Sequence, residues 1–142
     1  MGYRMGDTGP RGARQFYRLP PVTVDATASS PVTILTVTGI VGVGWDIVQV
    51  GDSFTTSDAI TASIGTATST AKIIAQVADA TDLTAGLSWV DATPDSKVEA
   101  TAGIKVISED VILTTTGTVT QGTLICYPVW YPVSAGATVV AA

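Results

Sequence analysis

Threonine and valine together supply 41 of the 142 residues, and that bias decides what the chain can build. Two heavy atoms on Cβ stiffen χ1, crowd a helix and pack well on a pleated sheet. Leucine is scarce, and runs of the helix formers Glu, Lys and Gln are absent. Val22-Thr23-Val24 alternates with the period of a strand, and Val32 to Val43 is a β-branched run broken by Gly39 and Gly42. Clusters of turn residues at Thr27–Pro31, Gly51–Ser57, Thr81–Gly86 and Asp91–Lys97 separate such runs at short intervals. The expectation is an all-β fold, an antiparallel β-sandwich or jelly-roll-like domain over residues 21–142, preceded by an extended arm over residues 1–20.

Individual strands follow from the alternation. Trp45 to Val50 is expected to put Trp45, Ile47 and Gln49 on one face and Val48 and Val50 on the other. Residues 72–78 fit a strand through Ile73, Ala75 and Val77, or a short helix through Ile74, Val77 and Ala78 capped by Thr70. The strand is preferred. Ile104 to Leu113 reads as one strand that changes phase at Ile107, as a bulge would make it do. Val119 to Val133 reads as a hairpin turning at Gln121-Gly122, and Val139-Val140 as a last short strand or a loose tail.

The stretch TLICYPVWYP is the most informative. Ile125, Tyr127, Val129, Tyr131 and Val133 share one face, and Leu124, Cys126, Pro128, Trp130 and Pro132 share the other. Residues of one parity also aim their backbone N–H groups to one side, so Pro128 and Pro132 remove donors from the same edge. That marks an edge strand or one that leaves the sheet. It carries Tyr127, Trp130 and Tyr131, three of the nine aromatic residues. Such an edge suits a subunit interface, because Tyr and Trp give large contact area at low entropic cost. The alternative is that Trp130 fills a core pocket.

Charge divides the chain unevenly. Residues 1–19 hold all four arginines, Arg4, Arg11, Arg14 and Arg18, against Asp7, a net +3. The remainder sets Lys72, Lys97 and Lys105 against eleven carboxylates, a net −8. A basic, glycine-rich segment on an acidic body points to an arm that reaches for a negative partner. Its three triplets, Gly6-Asp7-Thr8, Gly9-Pro10-Arg11 and Gly12-Ala13-Arg14, are too few for a collagen-like helix and read as a flexible loop. Nucleic acid is the poorer target, since the segment lacks a dense basic run and the body repels phosphate. The start of the chain carries arginine where a secretory signal would be apolar, and no stretch is long enough to span a membrane.

Chemistry is hard to find. The chain has no histidine, which removes imidazole triads and the usual zinc sites. Cys126 is the single cysteine, expected as a small apolar core residue in a reducing compartment. Asp79 and Asp82, and Asp91 and Asp95, flank turns and match neither a calcium loop nor a hydrolytic pair. The glycines of TGIVGVGWD lead into another strand instead of a phosphate-binding helix. The expectation is a protein that is not an enzyme and needs no cofactor or metal.

WDIVQVGDSFTTSDAI, a Thr/Ala-rich middle, and GIKVISEDVILTTTGTVTQGTLICYPVWYPVS resemble small structural proteins of tailed bacteriophages over roughly residues 45–134. In those proteins a glycine-threonine turn leads into a closing strand, here Gly117 to Leu124 ending in Tyr127 and Tyr131. The resemblance implies a virion β-domain, most like a head decoration (cement) protein, made in the bacterial cytoplasm and carried on the capsid surface. It implies the major capsid protein and further copies of the chain, as a homotrimer, for partners. On that basis the arm residues Arg4, Arg11, Arg14, Phe16, Tyr17 and Arg18 are expected to clamp the capsid, with arginines pairing to carboxylates. Tyr127, Trp130 and Tyr131 are expected at a subunit interface. Two other readings remain: a fibre-like receptor- or glycan-binding tip with Trp45, Trp89 and Trp130 as stacking platforms, and a head–tail or tail adaptor.

Overall fold

Alternating β-branched residues do become strands throughout the computed structural model, which describes residues 15–95 and 103–142. The first sheet is built on β11 (Thr123–Pro132), which pairs on one side with β4 (Val41–Val50), and β4 pairs in turn with β8 (Lys105–Ile107). The other side of β11 is shared by β2 (Val22–Asp25) and the two-residue β1 (Tyr17–Arg18). The second sheet runs β12 (Thr138–Ala141), β3 (Val32–Thr38), β9 (Val111–Thr115), β6 (Ala62–Gly65), β7 (Ile74–Val77). A ribbon of β5 (Thr55–Thr56) and β10 (Val119–Gln121) closes one end, and every pairing is antiparallel.

The two sheets enclose one apolar core. Val41, Val43, Val48, Val50, Leu124 and Cys126 from the first sheet meet Ile34, Ala62, Ile64, Val111, Leu113 and Val139 from the second. Each fully buried Val, Leu or Ile contributes roughly 1.5–3 kcal/mol of transfer free energy, so this shared interior holds the layers together. Cys126 is buried as its neighbours predict, and burial pushes its thiol up to about 12.

Several expected phases shift because the strands bulge. Between the pairs Ile47↔Tyr127 and Trp45↔Pro128, β4 carries one extra residue, Asp46. The bulge turns Trp45 into the core beside Val48 and Val50, and leaves Ile47 and Gln49 half-exposed. Residues 74–77 do form a strand, but Ala75 and Gln76 together oppose the single Ser63, so Ile74 and Val77 are the buried pair. The phase change at Ile107 is a change of sheet: β8 belongs to the first sheet and β9 to the second. Likewise 119–133 is not a hairpin. β10 pairs with β5, and Gly122, at φ 155°, redirects the chain into β11.

β11 is also not an edge. Even-numbered carbonyls on β11 do face the proline-bearing side, as Ala26 N donating to Gly122 O (3.0 Å) and Leu19 N donating to Pro128 O (3.2 Å) show. That side is closed in two pieces. β2 covers 123–126, where donors remain, and β1 covers Val129 and Trp130. Between them, Pro20-Pro21, which carry no N–H of their own, pass near Pro128. The arm inferred over residues 1–20 is therefore part of the sandwich from Phe16 onward.

The strand directions give the molecule two chemically different ends. Asp25, Asp52, Asp58, Asp79, Asp82, Asp91 and Asp95 lie in the turns after β2, β4, β5 and β7 and in the hairpin bridged to Gln49 through Ser88. Arg18, Lys72 and Lys105, the cations among the described residues, all lie in the opposite half, where β1 sits.

Gly42, paired with Tyr131, is where the first sheet tolerates no side chain, because a Cβ there would overlap the Tyr131 ring. Gly42→Ala is expected to destabilise the fold by about 1–3 kcal/mol in urea unfolding. In a Tyr131→Ala background the same change should cost markedly less, because the overlapping ring is gone.

Candidate docking surface

The end of the molecule marked by β1 is built from aromatic pairs. Tyr17 stands opposite Trp130 and stacks on it with ring centroids 4.8 Å apart and planes 27° apart. Phe16, one residue earlier, falls on the other face of the sheet and meets Tyr131 edge-on at 5.4 Å and 85°. Such pairs contribute about 0.5–1.5 kcal/mol beyond their area, so the two contacts anchor a strand that has only two ladder residues. Arg18 opposes Val129 and reaches Asp46, the bulged residue of β4, with Nε 2.9 Å from Oδ2. This exposed pair adds orientation more than stability. Its hydrogen bond and the Asp46 charge raise the Arg18 pKa further above its ordinary value.

These contacts relocate the residues singled out by the sequence. Phe16, Tyr17 and Arg18 lie on the protein's own sheet, while Arg4, Arg11 and Arg14 lie outside the described residues. Tyr131 is 8% exposed, covered by Phe16 and laid over Gly42. Tyr127 and Trp130 are half-buried. The aromatic layer that faces outward is thus Phe16 and Tyr17, at 48% and 41% exposure, one layer beyond the residues expected at an interface. The sequence does carry a signal for this: the dipeptide Phe16-Tyr17 precedes Pro20-Pro21 as Trp130-Tyr131 precedes Pro132.

The outer face of the first sheet carries more apolar side chains than the usual solvated face of an antiparallel sheet, with Gln49, Thr23 and Arg18 among them. Ile125, Tyr127, Val129 and Tyr131 from β11 lie beside Ile47, and Val106 pairs with Gly42. The Ile104 Cδ1 methyl lies over Gly44. The outer face of the second sheet differs, with Thr33, Ser63, Thr114 and Thr138 along it. Next to Val106 a cleft of about 310 Å³ is lined by Ile40, Thr68, Lys72 and Glu109 among others. Glu109 accepts from the Thr68 hydroxyl and, at 3.1 Å, from the Thr68 amide, and these bonds hold its carboxyl below the usual range.

No group of three or more metal-ligating side chains occurs among the described residues. Trp45 and Trp89 are buried, so two of the three rings expected as sugar platforms present no face to a ligand. All three indole N–H groups are buried without an acceptor among the described residues.

The aspartates of the acidic end serve turns. Three Asp-Ala-Thr segments share one geometry: Thr27 N reaches Asp25 Oδ1 at 2.9 Å, Thr81 N reaches Asp79 Oδ1 at 2.9 Å, and Thr93 N reaches Asp91 Oδ1 at 2.7 Å. In the first two the threonine hydroxyl also donates, at 2.7 Å. That hydroxyl bond first, and the amide bond second, hold the Asp25 and Asp79 carboxyls below their ordinary values. The repeated Asp-Ala-Thr is a sequence signal for turns that composition alone does not reveal. No family model, no curated protein and no solved structure matches this chain.

A carboxylate whose pKa is lower folded than unfolded contributes stability above its unfolded value, near 3.9, and loses it as pH falls through the folded value. Thr27→Val removes the hydroxyl donor and keeps the amide, so the Asp25 pKa is expected to rise towards 3.9 in a carboxyl NMR titration, with Asp79 unchanged. Acid unfolding should then begin at a higher pH. An unmoved Asp25 would contradict the assignment of the hydroxyl as the leading cause.

Proposed function

We propose that the protein is a structural virion component, a decoration (cement) protein that binds the outer capsid surface and bridges major capsid protein subunits. The observation that carries this reading is the exposed aromatic and apolar surface at the β1 end, from which the arginine-bearing residues 1–14 continue. A rigid sandwich presents that surface, and the segment beyond it adds Arg4, Arg11 and Arg14, which pair bidentately with carboxylates. Bridging of this kind acts through many weak contacts repeated over a shell, so modest affinity per copy is enough. The resemblance to tailed-phage structural proteins supports the same reading, with a homotrimer as the unit, the capsid surface as its place and the bacterial cytoplasm as its site of synthesis. Burial of Trp45 and Trp89 weighs against the glycan-binding tip.

The test is co-sedimentation with phage heads assembled without the protein, comparing the full chain with a full-length variant carrying Arg4→Glu, Arg11→Glu and Arg14→Glu. The full chain is expected to saturate the heads and the variant to need at least about tenfold more protein, the loss of a few charge-assisted hydrogen bonds. Absence of binding by a folded full chain would overturn the reading.

A further inference from the structure

We propose that β1 is an exchangeable strand: residues 16–19 of one copy leave their own sandwich and seat on β11 of a second copy, where they make the same contacts. The exchange concerns how copies of the chain join, and it holds whether or not they coat a capsid.

What holds β1 is a compact seat on one side of a hinge. The seat is the stretch Pro128 to Tyr131 together with Asp46. Tyr17 stacks on Trp130, Phe16 meets Tyr131 edge-on, Arg18 Nε lies 2.9 Å from Asp46 Oδ2, and Leu19 N donates to Pro128 O at 3.2 Å. Then come Pro20 and Pro21, which bring no N–H to the ladder, and pairing resumes only at Val22, opposite Cys126. β1 and β2 are therefore separate attachments. β2 carries Val24 into the core and stays in place when β1 leaves.

The attachment of β1 is also the weaker of the two. It has two ladder residues against four, its rings are 48% and 41% exposed, and the Arg18 side chain is 68% exposed. Segments with so little burial are the ones that open locally while the rest stays folded. An open seat uncovers the Trp130 and Tyr131 rings, and its chemistry states what refills it. It fits an extended segment with an aromatic side chain on each face, a cation for Asp46 and an amide for Pro128 O. Residues 16–19 of a second copy are that segment, and the structure shows them in the seat. Leu19 and Pro20 each precede a proline and are held extended, so a released strand keeps much of the shape the seat requires, and reseating orders less chain. The contacts are the same at home and away, so the hinge and the protein concentration set the balance, which makes exchange a low-cost route to association.

Full-length Arg18→Asp and Asp46→Arg chains separate exchange from other modes of association. Alone, each variant sets like charges against each other whether β1 is at home or exchanged, so neither gains by exchanging. Mixed, the introduced aspartate meets the introduced arginine, and the native Arg18 meets the native Asp46, only across two chains. In sedimentation equilibrium at low salt the mixture is expected to associate at least about tenfold more tightly than either variant alone, from ion pairs gained and like-charge contacts relieved. It should also associate more tightly than the unaltered protein, whose home and exchanged contacts are equal. With one variant isotope-labelled, filtered NOESY is expected to show cross-peaks between Tyr17 of one chain and Trp130 of the other. A mixture no more associated than its separate components overturns the proposal, as does one that associates without those interchain cross-peaks. Urea midpoints check that both variants fold. If Asp46→Arg does not, labelled and unlabelled unaltered chains are opened together in mild urea, returned to buffer at high concentration and read by the same NOESY, where absence of interchain cross-peaks overturns the proposal.

Discussion

The missing backbone donors of Pro128 and Pro132 shape the first sheet. A ten-residue strand at its centre cannot be paired evenly on that side, since two of its even-numbered residues offer a carbonyl and no N–H. The chain meets this by supplying the partner in two short pieces, β2 where donors remain and β1 beyond Pro128, with its own Pro20-Pro21 between them. Because β1 has so little ladder to hold it, aromatic contacts take over: Tyr17 on Trp130 and Phe16 on Tyr131. The constraint on one strand thereby fixes where β1 lies and which side chains surround it.

Gly42 and Gly44 leave room for Tyr131 and Ile104 on the outer face of the first sheet, where the second sheet instead carries Thr33, Ser63, Thr114 and Thr138. The same strand directions gather the turn aspartates at the far end, where Asp25, Asp79 and Asp91 accept from the backbone amides of the threonines two residues on. The end marked by β1 holds Arg18, Lys72 and Lys105 against Asp46, Glu109 and Asp110, and the other end gathers seven aspartates.

The all-β class was legible because the cause is local: β-branched side chains bias every segment the same way, and turn residues punctuate them. Phase was less so. Periodicity assigns faces correctly only while pairing is regular, and Asp46 and the Ala75-Gln76 pair each add a residue that swaps the faces of its neighbours along the strand. Ile104 to Leu113 read as one bulged strand because a change of sheet and a bulge look alike in a hydrophobic pattern. The prolines of β11 correctly marked the side that cannot pair evenly. That the side is nevertheless covered, and by residues 16–25, depends on a contact between segments a hundred residues apart that no local pattern encodes. The aromatic residues of β11 suggest an interface in the sequence, and in the fold the protein's own Tyr17 and Phe16 pack against Trp130 and Tyr131.

The central claim is that residues 16–19 belong to the sandwich and close the proline-bearing side of β11. It is tested most directly by NOESY on the full-length protein. The account predicts cross-peaks between the Tyr17 and Trp130 rings and between the Phe16 and Tyr131 rings, together with slowed exchange of the Leu19 amide that donates to Pro128 O. A folded protein in which those cross-peaks are absent and the Leu19 amide exchanges as fast as in an unstructured peptide would contradict it.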